Sequence, residues 1–336
     1  MKLVTSEIRG SYPPKRFLGA LLSESSIVDL GAAQAASGKG PDSLPGDMLA
    51  FLEAGDAALA SARSALEYAR ANPGAKAPDG RTLVWPRGEL RLLPAVPRPG
   101  KILHTSVNFR SHKAEVSAKS DAPASSGGGF DSEEWKKQDW GSFHYKHPTG
   151  FLQAPSSTVG TDAEVFIPRF TEQLDYELEI ATIIGRRAKN VLKANALDYV
   201  AGFCVFNDVS ARDIQAREHA NKVILLGKSF DTSCPLGPWL TTKDEIADPE
   251  KLQMQLRLNG ELRQDANTSE MIYSIRELVS WWSQITLEPG DVITSGSPAG
   301  VIAGRNPRVW LKPGDRIEAT IEGLGTLVNL IAAARD

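Results

Sequence analysis

Apolar positions in the first ninety residues come in short blocks. Leu3-Val4 reads as a short strand, and the apolar segment Phe17-Leu18-Gly19-Ala20-Leu21-Leu22 is followed by Ile27-Val28-Asp29-Leu30. Between about Asp47 and Arg70 the period changes: Met48, Leu49, Phe51, Leu52, then Ala58, Leu59 and Leu66 recur at helical spacing. Ala71-Asn72-Pro73-Gly74 stops that helix. Pro94, Pro97 and Pro99 make a linker before the strand-like Lys101-Ile102-Leu103-His104. Ser117 to Gly129 is mostly small, polar and charged, and runs into Phe130, Trp135, Trp140, Phe143 and Tyr145. Residues 116–145 are therefore read either as a flexible insertion with an aromatic tip that could act as a lid, or as a surface loop packing its aromatics locally. From 150 onward β-rich runs alternate with turns: Glu177 to Ile184, Phe203 to Phe206, Leu252 to Leu258, Asp291 to Thr294 and Arg316 to Ile321. Pro289-Gly290-Asp291 and Pro313-Gly314-Asp315 are turn signals just before strands. Without regular βα alternation a doubly wound sheet is excluded, which leaves a mixed, rolled-up β domain.

Composition narrows the class. The chain has 336 residues, 38 Lys+Arg against 41 Asp+Glu and a net charge of −3, without the basic surplus of a nucleic-acid binder. No stretch has the ~18 uncharged apolar residues of a membrane span, and charge appears too early for a signal-peptide core. Cys204 and Cys234 are too few for a disulfide framework and are read as inert packing residues. These features predict a soluble cytoplasmic protein with a small-molecule partner, and neither nucleic acid nor membrane.

The candidate chemistry lies in a few short segments. In a strand, Asp175, Glu177 and Glu179 share one side, and Leu174, Tyr176, Leu178 and Ile180 the other. Three like charges on one face suit a hard divalent ion, although such a strand alone equally suits a solvated acidic face. Asn207-Asp208-Val209-Ser210-Ala211-Arg212-Asp213-Ile214-Gln215 follows an apolar strand. A helix starting at Asp208 would put Asp208, Arg212 and Gln215 on one face, suited to a metal beside an anionic or carbonyl-rich substrate. His112 and Glu115 are three apart, as a carboxylate-oriented base requires; a surface pair gives the same spacing. Lys228, between apolar residues and a turn, is placed to meet an oxyanion or to snorkel to the surface. Gly290 to Gly300 is a strand entering a small-residue turn, His104 is read as structural, and His144 and His147 as pocket edges beside Lys146.

In order, Asn108–Glu115, Leu174–Glu179, Phe206–Gln215, Gly227–Asp231, Gly290–Val301 and Ile321–Asn329 resemble the fumarylacetoacetate hydrolase superfamily over about residues 100–336. The resemblance implies an α+β, β-rich fold: a C-terminal mixed β-roll over residues 99–336 with a small N-terminal α/β domain over 1–98, assembled as a homodimer. It makes Glu177, Glu179 and Asp208 ligands of Mg2+ or Mn2+, with Ca2+ admissible. It makes His112–Glu115 the water-activating dyad, and Lys228, Arg212 and Gln215 the groups that hold substrate carbonyls and a developing oxyanion. Lys146 and Ser297 become substrate contacts, Ser297 standing where the family often has Thr. Thr105-Ser106-Val107 lacks the acidic ligand that some relatives carry, so waters or substrate would complete the coordination. The implied reaction is metal-dependent hydrolysis of a carbon–carbon bond in a 1,3-dicarbonyl such as an acylpyruvate or a ring-cleavage product of aromatic catabolism. The same apparatus also suits β-keto acid decarboxylation or keto-enoate isomerisation and hydration, and a non-catalytic small-molecule binder is the rival of another class.

Overall fold

A computed structural model describes residues 1–38, 44–119 and 146–334. The expected lid falls almost wholly outside them. Among the described residues the largest sheet has twelve strands. Its path runs Val84–Pro86, Ser26–Asp29, Arg16–Ser23, Lys2–Ile8, Cys234–Thr242, Val200–Asn207, Leu178–Ile184, Val292–Thr294, Ile102–Leu103, Leu152–Gln153. The N-terminal strands thus extend the sheet that carries the later motifs. Lys2–Ile8 lies antiparallel to Cys234–Thr242, with Leu3 opposite Leu240. A second, five-stranded sheet runs Glu261–Asn267, Gln253–Leu258, Arg316–Ile321, Gly325–Ala332, Glu164–Phe166.

The central strands are buried on both faces, and alternation sorts their side chains between two cores. Ala181, Ile183, Cys204 and Phe206 face helices α1 (Leu30–Ala36) and α2 (Met48–Ala71), packing with Leu30, Phe51, Leu52, Ala62 and Leu66. Leu178, Ile180, Phe203 and Val205 face the second sheet, against Met254, Leu256, Ile317 and Leu327. Asp47 caps α2 by accepting the Ala50 N–H, and Asn72 ends it. Gly55, at φ 61°, breaks the helix within its span, a detail the helical spacing did not signal.

Several elements position the site. Helix α3 (Arg110–Lys119) follows the strand Ile102–Leu103, which lies between Leu152–Gln153 and Val292–Thr294 and pairs in parallel with the latter. Asn108 anchors the turn before α3 by donating to Tyr273 O and Ser295 O, 3.0 and 2.9 Å away. Two expectations need correction. The acidic strand is not continuous: Leu174–Asp175 pairs with Ser210–Ala211, and the long strand starts only at Leu178. The alternative of a solvated acidic face also falls, because every residue from Leu174 to Ile180 is buried. Nor does a helix begin at Asp208. The short Ser210–Ala211 strand intervenes, and α4 runs Arg212–Ala220.

Candidate metal-dependent active site

Four carboxylates and two cations are buried together: Asp175, Glu177, Glu179 and Asp208 with Arg212 and Lys228. Arg212, the first residue of α4, spreads its guanidinium over three acceptors. Nε donates to Asp175 Oδ2 at 2.8 Å, Nη2 to Glu177 Oε1 at 2.7 Å and Nη1 to Gln215 Oε1 at 2.9 Å. The two carboxylates it bonds are Asp175, at the end of strand Leu174–Asp175, and Glu177, just beyond it. Asp175 also accepts the N–H groups of Tyr176, Ile302 and Ala303. It is the fixed post behind Arg212 and not one of a row of three equivalent acids.

Lys228 Nζ bridges Glu177 Oε2 at 2.8 Å and Asp208 Oδ2 at 2.6 Å. The loop that delivers it is wrapped around Glu218, whose carboxylate accepts the N–H groups of Leu225, Leu226 and Gly227. Gly227 is required by space: a Cβ there would lie 2.8 Å from the Gln215 backbone nitrogen. Asn207 Oδ1 accepts the Glu177 N–H at 2.9 Å, and its buried Nδ2 has no partner among the described residues.

Electrostatics separates the two glutamates. Burial would raise Glu177, but the Lys228 ammonium and the Arg212 guanidinium, with His112 adding, hold it well below the ordinary carboxylate range. Among the described residues Glu179 is not ion-paired. Burial, then Asp208 and Glu177, push it well above that range, although the Gly296 N–H reaches its Oε2 at 2.9 Å. With all four carboxylates ionised, the two cations leave two negative charges, a deficit that a divalent ion would match. Donor type agrees: ligand atoms of Glu179, Asp208 and His104 all lie within 4.8 Å of one another. His104 is thus more than a packing residue. Buried and stacked on Phe151 at 4.5 Å, its ring puts Nδ1 3.4 Å from Asp208 Oδ2 and pairs Nε2 with Gln153 Oε1.

The dyad is formed. His112 Nδ1 lies 3.0 Å from Glu115 Oε2 one turn along α3, and Glu115 Oε1 accepts the Gly300 N–H at 3.3 Å. His112 is close enough to Glu177 to stabilise its ionised form. Ser297 is buried nearby, its hydroxyl accepting from Gln264 Nε2 at 2.9 Å while Gln264 Oε1 accepts the Leu178 N–H. Lys146 is exposed and set apart from the cluster. It borders a 440 Å³ cavity with Tyr273 and Trp281, and His147 meets the Trp281 ring edge-on at 4.7 Å. Cys204 and Cys234 are buried free thiols whose ionisation burial opposes. His104, Gln153 and Gln264 are the site residues that sequence reasoning missed. An imidazole just after strand Ile102–Leu103 was the one signal available.

The chain belongs to the fumarylacetoacetate hydrolase superfamily, an enzyme family generally dependent on divalent metal: residues 101–332 match the family model "Fumarylacetoacetate (FAA) hydrolase C-terminal". Among its relatives, oxaloacetate tautomerase YisK of Bacillus subtilis (strain 168) is 34% identical over 336 residues, covering 98% of this chain and 100% of the relative. The mitochondrial oxaloacetate tautomerase FAHD2A of Homo sapiens is 39% identical over 289 residues, 86% of this chain and 80% of the relative. The solved structure of a fumarylacetoacetate hydrolase from Exiguobacterium antarcticum superposes with a TM-score of 0.71 at 28% identity, covering 99% of this chain and all of that one. Among the described residues no helix is long and apolar enough to cross a membrane.

Proposed function

We propose that the protein is a divalent-metal-dependent tautomerase of a 2-oxo dicarboxylate of the oxaloacetate type. The observation that carries this reading is the convergence at Glu177: Lys228 and Arg212 both bond that buried carboxylate, and His112, held by Glu115, lies close enough to favour its ionised form. The tautomerase names of the relatives supply the reaction class. Glu177, Glu179 and Asp208 would hold Mg2+ or Mn2+, which when bound supplies Lewis-acid polarisation of the substrate's 2-oxo acid end.

The remaining steps belong to the chain's own groups. Glu115 accepts from His112 Nδ1, which orients the ring and assigns proton transfer to Nε2. His112 would take the proton from the enol hydroxyl or from C3 and return it to the other position. Lys228 and Gln215 would meet the enolate oxygen, and Arg212 keeps its neighbours aligned. All of these groups are buried among the described residues except Glu115, which is half-buried, and that favours proton shuttling over entry of bulk water.

Carbon–carbon bond hydrolysis is the second reading. It is favoured by the same His112–Glu115 pair, since a carboxylate-oriented imidazole is also what activates water. Enol-oxaloacetate offered with Mn2+ or Mg2+ should lose its ultraviolet enol absorbance faster than without enzyme, with product mass unchanged. Two fragments from a panel of acylpyruvates, with no effect on the enol, would overturn tautomerisation in favour of hydrolysis. Carbon dioxide release would point to decarboxylation.

A further inference from the structure

The acceptors around His104 carry an inference about which ion the site selects; it rests on the metal-centre reading above. Gln153 determines which ring nitrogen of His104 carries the proton. Its Nε2 is directed at the Lys228 carbonyl and lies 3.4 Å from Asp208 Oδ1, both acceptors. Turning the amide over would set oxygen against oxygen, so Oε1 must face His104 Nε2, and Nε2 must carry the ring proton. In the neutral ring Nδ1 then presents a lone pair, 3.4 Å from Asp208 Oδ2 and 3.1 Å from the Thr294 hydroxyl. A lone pair on Nδ1 turned toward Asp208 Oδ2 is placed to share a cation with that carboxylate. A metal-bound imidazole whose other nitrogen donates to an amide oxygen has this arrangement.

We propose that His104 Nδ1 is a fourth protein ligand beside Glu179, Asp208 and Glu177, and that it tunes the centre toward a nitrogen-accepting transition ion such as Co2+ over Mg2+. Metal–ligand bonds of about 2.0–2.2 Å put two ligands of one ion at most about 4.4 Å apart, so His104, Glu179 and Asp208, whose ligand atoms lie within 4.8 Å of one another, need only a few tenths of an ångström of closure. Ring stacking on Phe151 at 7° and the edge contact with Phe206 at 5.4 Å fix the imidazole plane, so the site is preorganised on that side. Imidazole favours transition ions over Mg2+, which prefers oxygen donors. The ligand fills part of the coordination that the acid-free Thr105-Ser106-Val107 stretch leaves open.

The test uses the full chain stripped with chelator and titrated calorimetrically with Mn2+, Co2+ and Mg2+. Expected for His104→Phe is a loss of Mn2+ and Co2+ affinity at least as large as the roughly 10–100-fold caused by losing an outer-shell partner, with Mg2+ affinity changed less than about 3-fold. Should that variant not fold, electron spin-echo modulation of the unmutated Mn2+-loaded protein decides instead, because a coordinated imidazole imprints 14N frequencies on the echo. Tight Mn2+ binding without 14N coupling, or equal Mn2+ affinity in His104→Phe, would overturn the assignment and leave the carboxylate centre standing. If the unmutated protein binds none of the three ions, the metal centre itself falls and this assignment with it.

Discussion

Replacing Arg212 with methionine removes one guanidinium and strands two buried carboxylates. Asp175 loses a 2.8 Å bond and Glu177 a 2.7 Å bond, while Gln215 loses its 2.9 Å donor. A charge-assisted hydrogen bond is worth about 1.5–3 kcal/mol, and breaking a buried ion pair from one side costs about 3–5 kcal/mol. Simple addition overstates the loss, because Asp175 keeps three backbone N–H donors and Glu177 keeps Lys228. The expected cost of Arg212→Met is therefore about 3–5 kcal/mol, out of a typical total of roughly 5–15 kcal/mol. Urea unfolding followed by tryptophan fluorescence, in chelator so that ion binding does not contribute, reads it as a lower midpoint. Arg212→Lys should recover only part, since an ammonium cannot span three acceptors in a planar fork. Adding Glu177→Gln to Arg212→Met should restore at least about 1 kcal/mol, because one stranded charge is gone. A cost below about 1 kcal/mol, or a double variant no more stable than the single one, would refute the view of Arg212 as the keystone of the charge cluster.

Three further outcomes follow from the same geometry. His112→Ala should lower kcat by about 10²–10⁴-fold while metal content, read by inductively coupled plasma spectrometry, stays unchanged; unchanged turnover would remove His112 from the reaction. Glu179 is raised above its ordinary value of 4.5, so the stability it contributes is full below 4.5 and is lost as pH rises through its raised value. Glu179→Gln should thus stabilise the ion-free protein at neutral pH and abolish tight Mn2+ binding, and in the unmutated protein Mn2+ affinity should fall as pH drops through that raised value, by at most about tenfold per pH unit for one proton. A pH-independent Mn2+ affinity between the ordinary glutamate range and neutrality would contradict it. Gly227→Ala forces a Cβ against the Gln215 backbone at 2.8 Å, and should cost about 1–3 kcal/mol and displace Lys228, seen as lost stability together with lost kcat.

Much of the local architecture was legible because local cues sufficed. Helix Met48–Ala71 carries its period, an Asp cap and an Asn-Pro-Gly stop within one stretch of sequence, and the Pro-Gly-Asp turn announces the strand Arg316–Ile321. The His112–Glu115 spacing likewise requires only one helical turn. What failed was long-range. Asp208 was expected to open a helix, but pairing of Ser210–Ala211 with residues 35 or more positions earlier delays it, and Ala211 offers no capping side chain to mark the true start. His104 looked structural because the parallel pairing of Ile102–Leu103 with Val292–Ile293, which brings Thr294 to the ring, has no signature near residue 104. Gln153 and Gln264 hold site residues through single amides, and an isolated glutamine carries no periodicity to read.

The pairing of Lys2–Ile8 with Cys234–Thr242 gives the N-terminal strands a protective role. Cys234–Thr242 is the strand that leaves the Lys228 loop. Cut back to the 101–332 span of the family model, the chain would leave the Leu240–Thr242 end of that strand without the backbone partners that Met1–Leu3 supply. Such an edge recruits other chains. A fragment starting at residue 99 should therefore sediment as aggregate or pair edge to edge, and supplying residues 1–98 in trans should restore solubility. The first hundred residues would then be, in effect, a built-in chaperone for the sheet that bears the chemistry.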